Sequence, residues 1–143
     1  MDAVLSYLLM FGTAFGAATI LPFYSEVVLL GLLATDLNPG ILWLVASVGN
    51  TLGAVVNWFI GLKYGALAGS RWLPATEDQM ARAQAWFSRW GVWTLLLAWA
   101  PVGGDALTFL GGIMRVRLWL FLLLVGAGKA ARYAAIILAF EAV

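Results

Sequence analysis

The chain has 143 residues, is 64% hydrophobic and 10% charged, and carries a formal net charge of +1. With a mean hydropathy of +0.96 it holds more apolar side chain than a soluble domain of this size can hide, so it reads as an integral membrane protein. It has no Cys and no His, which excludes disulfides, thiolate chemistry, histidine ligation and the commonest acid/base catalysis; no metal site, no cofactor and no nucleic-acid partner is expected.

The first apolar block runs from Ala3 to Ala34. As one helix it would reach about 48 Å, too long for one crossing of a ~30 Å core and too short for two. It is broken at "ILPFYSEVVL", where Pro22 lacks a backbone donor and Glu26, just after Ser25, brings a charge. Asp2 stands without a basic cluster and no small-residue cleavage pattern follows, so a removable signal peptide is not expected. The second block, Leu37 to Leu62, is free of charge and is the one uncomplicated span.

Then comes "TEDQMARAQAWFSRW". Thr76 and Gln79 have capping-box spacing, with Glu77 and Asp78 in the first turn, so a helix should begin there. Met80, Ala83, Phe87 and Trp90 form its apolar stripe, with Arg82 and Arg89 off it, as in a helix lying on a bilayer surface. The third block, Gly91 to Met114, repeats the defect of the first: "WAPVGGDALTFLGG" places Pro101, Gly103, Gly104 and Asp105 inside an apolar run. The last block, Leu118 to Phe140, carries Lys129 and Arg132.

Sliding the chain on itself by 79 residues aligns Gly12 with Gly91, Pro22 with Pro101, Glu26 with Asp105, Gly49 with Gly128 and Asn50 with Lys129. With only four prolines and seven acids available, the paired proline and acid point to an internal repeat. The expected organisation is a single membrane domain over residues 1–143, with repeat 1 over about 3–64, an amphipathic linker over about 70–90 and repeat 2 over about 91–143. Each repeat is a broken hairpin followed by one spanning helix, and an odd number of crossings inverts the second copy. If both hairpins are re-entrant, Lys63, Arg71, Arg82, Arg89, Arg115 and Arg117 share one face, and Asp2, Asp36 and Glu141 the other. The positive-inside rule favours that layout, with the basic face cytoplasmic. The fold class is thus all-α: an inverted repeat of re-entrant hairpin plus transmembrane helix, joined by an interfacial helix.

At about 1.5 Å per residue, Glu26 and Asp105 each arrive near mid-membrane from opposite faces, and Asn50, Lys129 and Arg132 reach similar depth. A charge there costs at least ~2.5 kcal/mol, so these groups should pair or line a wet cavity, with Asp105 expected beside Lys129 or Arg132. The glycine pairs Gly49/Gly53 and Gly61/Gly65 read as helix-packing contacts.

The segments "LPFYSE", "GNTLGAVVNWFIGLKYG", "RWGVWTLLLAWAPVGGDALTFLGGIMRV" and "GKAARY" together resemble the DedA superfamily, the SNARE-associated Golgi protein or VTT-domain family, in its small YqaA-like branch. The resemblance covers nearly the whole chain. It implies two re-entrant hairpins facing each other across the bilayer, a role in moving lipids such as polyprenyl phosphates or phospholipids, and proton coupling in some bacterial members. Glu26 matches the acidic residue of the first hairpin. Larger bacterial members carry an arginine motif after the second-hairpin proline, whereas this chain has "PVGGDAL", leaving Lys129 and Arg132 to recognise an anionic headgroup.

The resulting reading is a multi-pass transporter of the bacterial inner membrane that flips or scrambles a lipid or lipid-phosphate headgroup, with protons as a coupling partner. A proton-coupled carrier of a small ion or solute and a non-transporting membrane organiser are the alternatives; an enzyme is not expected. The sequence is compatible with a monomer or a homo-oligomer.

Overall fold

The computed structural model of the chain describes residues 2–19, 24–64, 77–99 and 104–142. These form α1 (Ala3–Thr19), α2 (Tyr24–Leu33), α3 (Pro39–Tyr64), α4 (Glu77–Trp90), a 3₁₀ segment (Gly91–Trp99), α5 (Gly104–Ile113) and α6 (Leu118–Ala142), with no strand among the described residues. Within α3 and α6, Pro39–Lys63 and Leu118–Ala142 are each 25 residues of apolar helix, about 38 Å at ~1.5 Å per residue and so long enough to cross a membrane.

Local chemistry sets the helix starts. Asn38 caps α3: its Oδ1 accepts from the N–H groups of Gly40 (2.8 Å) and Ile41 (3.3 Å), and Pro39 occupies the first helical position, where no donor is needed. The linker helix forms where its capping pattern places it; Thr76 lies outside the described residues. Ala83 and Phe87 of its stripe are buried, whereas Trp90 is 59% exposed, with Trp86 and Trp93 beside it in the chain also exposed; the side chain of Met80 lies outside the described residues. Trp90 therefore departs from the expected stripe, and the indoles project outward as an aromatic girdle does.

Helix α6 runs antiparallel to α3. Trp43 Nε1 donates to the Ala130 carbonyl (2.8 Å) near one end, and Trp58 Nε1 donates to the Val116 carbonyl (2.9 Å) near the other. Helix α1 runs parallel to α3, with the Asn38 N–H donating to Tyr7 Oη (3.2 Å) at its start. Glycine permits the close approach: a Cβ on Gly53 would lie 2.5 Å from the Phe15 carbonyl, and one on Gly112 would lie 1.9 Å from that of Trp58. Gly49, Gly53 and Gly61 thus are packing glycines, as expected; Gly65 lies outside the described residues. These contacts place Lys63, Arg115 and Arg117 at one end of the bundle, with α4 packed there against α5 and the 3₁₀ segment. Asp36 and Glu141 lie at the opposite end.

Exposure is inverted relative to a soluble protein. Val4, Val27, Leu123 and Leu138 are all more than 60% exposed, while Ser25, Asn50, Asn57, Thr94, Thr108 and Lys129 are buried. An apolar exterior around hydrogen-bonded polar groups suits hydrocarbon surroundings.

The third block departs from the α-helical rise used for depth counting. Its first limb is a nine-residue 3₁₀ helix, longer than such runs usually are. It starts at Gly91, whose φ of +64° lies in the left-handed region. At about 2.0 Å per residue it climbs roughly 18 Å, against about 14 Å for the same residues as α-helix, which carries the Trp99 carbonyl further from the basic end.

Helix α5 ends in a Schellman turn: Val116 N donates to the Gly111 carbonyl (2.9 Å) and Arg115 N to that of Gly112 (3.0 Å). The left-handed position is held by Arg115 at φ 58° rather than by glycine, and Val116 is buried against the core. Arg115→Gly should raise stability by about 1 kcal/mol by relieving the Cβ clash; thermal unfolding in detergent, with no gain or a loss, would count against this account of the turn.

Candidate functional site

Two consecutive residues of α2 meet two consecutive residues of α6. The Glu26 carboxylate pairs with Arg132, and Ser25 Oγ shares a hydrogen bond with Tyr133 Oη at 3.0 Å. Ser25 and Tyr133 are each only 1% exposed. The ion pair beside them is open, with side-chain exposures of 16% for Arg132 and 32% for Glu26. Glu26 lies in the first turn of α2, where the helix dipole favours its negative charge. Arg132 also donates from Nη1 to the Trp99 carbonyl (3.1 Å), at the end of the 3₁₀ segment. A single guanidinium therefore ties α6 to α2 and to the 3₁₀ segment.

The pair opens into a groove of about 800 Å³ lined by Leu96, Trp99, Gly128, Ile136 and the alanines 127, 131, 135 and 139. Alanines four apart form one stripe on α6, a smooth apolar track of roughly 18 Å. An anion could meet Arg132 while its hydrocarbon part lay along that track.

Two further polar layers stack inside the bundle. Lys129 Nζ donates to Asn50 Oδ1, and Asn50 Nδ2 donates to the Ala14 carbonyl (2.8 Å). Asn50 and Lys129 are the residues that the 79-residue offset aligns, and here they touch. Toward the basic end, Asn57 Nδ2 donates to the Ala18 carbonyl (2.9 Å) and to Thr108 Oγ1 (3.1 Å). The helical donor to Ala18 would be residue 22, a proline with no N–H; Asn57 supplies that missing donor.

Of the residues singled out from sequence, Glu26 and Arg132 come together, as do Lys129 and Asn50. Ser25 is paired with Tyr133 rather than aimed at the groove. Gly104 opens α5. Pro22, Pro101, Gly103 and the side chain of Asp105 lie outside the described residues. Asn57 and Thr108 were not singled out from the sequence. Asn57 had a signal: it lies seven residues after Asn50, on the same helix face.

Residues 21–142 match the VTT domain. The chain is 38% identical over 137 residues to the inner membrane protein YqaA of Escherichia coli (strain K12), covering 95% of this chain and 92% of that protein. The same figures hold for inner membrane protein YqaA of Shigella flexneri. A protein of Haemophilus influenzae is 33% identical over 140 residues, covering 90% of this chain and 83% of its own. No solved structure matches the chain.

The Glu26–Arg132 contact should register as a coupling. In a double-mutant cycle of Glu26→Gln, Arg132→Gln and the pair, followed by melting in detergent, the double variant should lose about 0.5–3 kcal/mol less than the sum of the singles. Additivity would mean that the two side chains do not interact in the folded protein.

Proposed function

We propose a function from one premise: the chain belongs to the VTT-domain family of membrane proteins. On this reading it is a lipid translocator of the inner membrane. It moves an anionic phosphate headgroup, of a phospholipid or a polyprenyl phosphate, between leaflets through the Arg132 groove. The observation that carries this is the half-open Glu26–Arg132 pair at the mouth of an apolar track. A cation that deep is costly unless paired, and a phosphate group presents two oxygens that accept both arms of a guanidinium. The headgroup would displace Glu26 from Arg132 while the tail followed the alanine stripe. Protonation of Glu26 would have the same effect on the pair, giving a route to proton coupling. The role is transport rather than catalysis.

The topology proposed with it is an inverted repeat of two re-entrant hairpins, within the single domain and repeat boundaries read from the sequence. Support comes from the packing pattern. Helix α1 packs on α3 as the 3₁₀ segment does on α6, and α5 packs on α3 where its counterpart α2 meets α6 more sparingly. Contact between the offset-matched Asn50 and Lys129 is what a pseudo-twofold axis through that layer would produce. With the basic end cytoplasmic, single cysteines replacing the exposed Arg117 and Asp36 in this cysteine-free chain should be labelled from opposite faces of the membrane. Labelling of both from one face would remove this topology.

Purified protein in vesicles of phosphatidylethanolamine and phosphatidylglycerol should speed leaflet exchange of a fluorescent phosphatidylglycerol or a labelled polyprenyl phosphate. Glu26→Gln, which keeps volume but removes the charge that must reclaim Arg132 and expel the headgroup, should slow that exchange by about tenfold, the equivalent of one charge-assisted contact. If wild type and variant both match empty vesicles across pH 5 to 8, lipid translocation is wrong. Transport of a small solute without lipid movement would then favour the carrier alternative, and no flux at all the membrane organiser.

A further inference from the structure

Arg132 and Asn57 are wired alike. Arg132, on α6, donates to a carbonyl at the end of one hairpin's first limb, Trp99, and meets a side chain on the other hairpin's second limb, Glu26. Asn57, on α3, donates to a carbonyl near the end of a first limb, Ala18, and to a side chain on the opposite second limb, Thr108. One bridge is ionic and opens into the groove; the other is neutral and buried, with Asn57 and Thr108 each 1% exposed.

The difference between the two sides lies in the backbones. At the Asn57 bridge, α5 lies so close to α3 that a Cβ on Gly61 would be 2.2 Å from the Phe109 carbonyl and one on Gly112 1.9 Å from the Trp58 carbonyl. At the Arg132 bridge α2 and α6 touch sparingly and leave the groove between α6 and the 3₁₀ segment. The Asn57 bridge also lies nearer the basic end, about 10 Å from Tyr64 by helical rise, with Lys129 and Asn50 between it and Arg132.

We infer that Asn57 and Thr108 form a second, closed headgroup station on the basic side, where Thr108 occupies the Asn57 amide until α5 moves off α3 and a phosphate oxygen takes its place. This rests on the translocation proposed above. A neutral donor suits release, because beyond Arg132 and the buried Lys129 a third cation at this point would hold the anion rather than pass it to the basic face. Thr108 is then the latch and Asn57 the group that touches the headgroup.

The two partners of one hydrogen bond should therefore respond with opposite signs. Thr108→Val leaves the Asn57 amide short of an acceptor only in the closed form; it should speed exchange of fluorescent phosphatidylglycerol severalfold while lowering the melting temperature. Asn57→Leu removes the headgroup donor and should slow exchange by about tenfold. A merely structural bond would move both rates the same way, or neither, and that result overturns the proposal. Should Asn57→Leu fail to fold, Thr108→Cys gives an independent measurement in this cysteine-free chain. An impermeant thiol reagent should label it from the basic side only; labelling from the acidic side, or from neither side, overturns the station. Because labelling needs no lipid flux, it separates failure of the station from failure of lipid translocation, which wild-type vesicles report.

Discussion

A helix that stops inside hydrocarbon leaves carbonyl oxygens without donors, and water is not there to supply them. Two bonds in the interior of this protein answer to that constraint: Asn57 donates to the Ala18 carbonyl near the end of α1, and Arg132 to the Trp99 carbonyl at the end of the 3₁₀ segment. Other side-chain N–H groups reach oxygens inside continuous helices or in the turn before α6: Asn50 to Ala14, Trp43 to Ala130 and Trp58 to Val116. All five join two elements, which matters because hydrocarbon offers no hydrophobic drive to press helices into contact.

The same bonds explain where glycine falls. A short amide such as Asn reaches a neighbouring backbone only if the helices nearly touch, and Gly49 and Gly53 bring α3 against α1 along the face that carries Asn50 and Asn57. The 3₁₀ segment meets α6 in the same way, since a Cβ on Gly128 would lie 2.5 Å from the Leu96 carbonyl, and Arg132, one turn along α6, reaches the Trp99 carbonyl from that contact. Its length matters in the other direction, toward Glu26, where α2 and α6 touch sparingly and the groove opens.

Part of the fold was legible in the sequence: the capping pattern with Glu77 and Asp78 marked the start of the linker helix, and the charge-free Leu37–Leu62 run marked the span that α3 forms. The membrane class followed from composition. The offset of 79 paired Asn50 with Lys129, which proved to be in contact. The 3₁₀ form of Gly91–Trp99 was not legible, since its apolar sequence suits an α-helix equally, and its rise decides which carbonyl Arg132 can reach. Nor was the choice of ion pair: two acids and two bases at one depth allow several pairings, and selection of Glu26 for Arg132 depends on Ser25 and Tyr133 fixing the register of α2 on α6. Asn57 could have been found by asking which side chain would replace the N–H that Pro22 lacks.

Register on α6 gives the site its particular character. Ser25 and Tyr133 are sealed, while Glu26 and Arg132, one residue along on each helix, face the groove. Adjacent helical residues point about 100° apart, so a contact that is dry on one side can be wet on the other without any change in backbone. The dry hydrogen bond fixes the distance between α2 and α6, and the half-open ion pair can then break and re-form without the helices separating. The exchange of anionic partners proposed for this site depends on that division: if the ion pair alone joined α2 to α6, releasing Arg132 would also release α2.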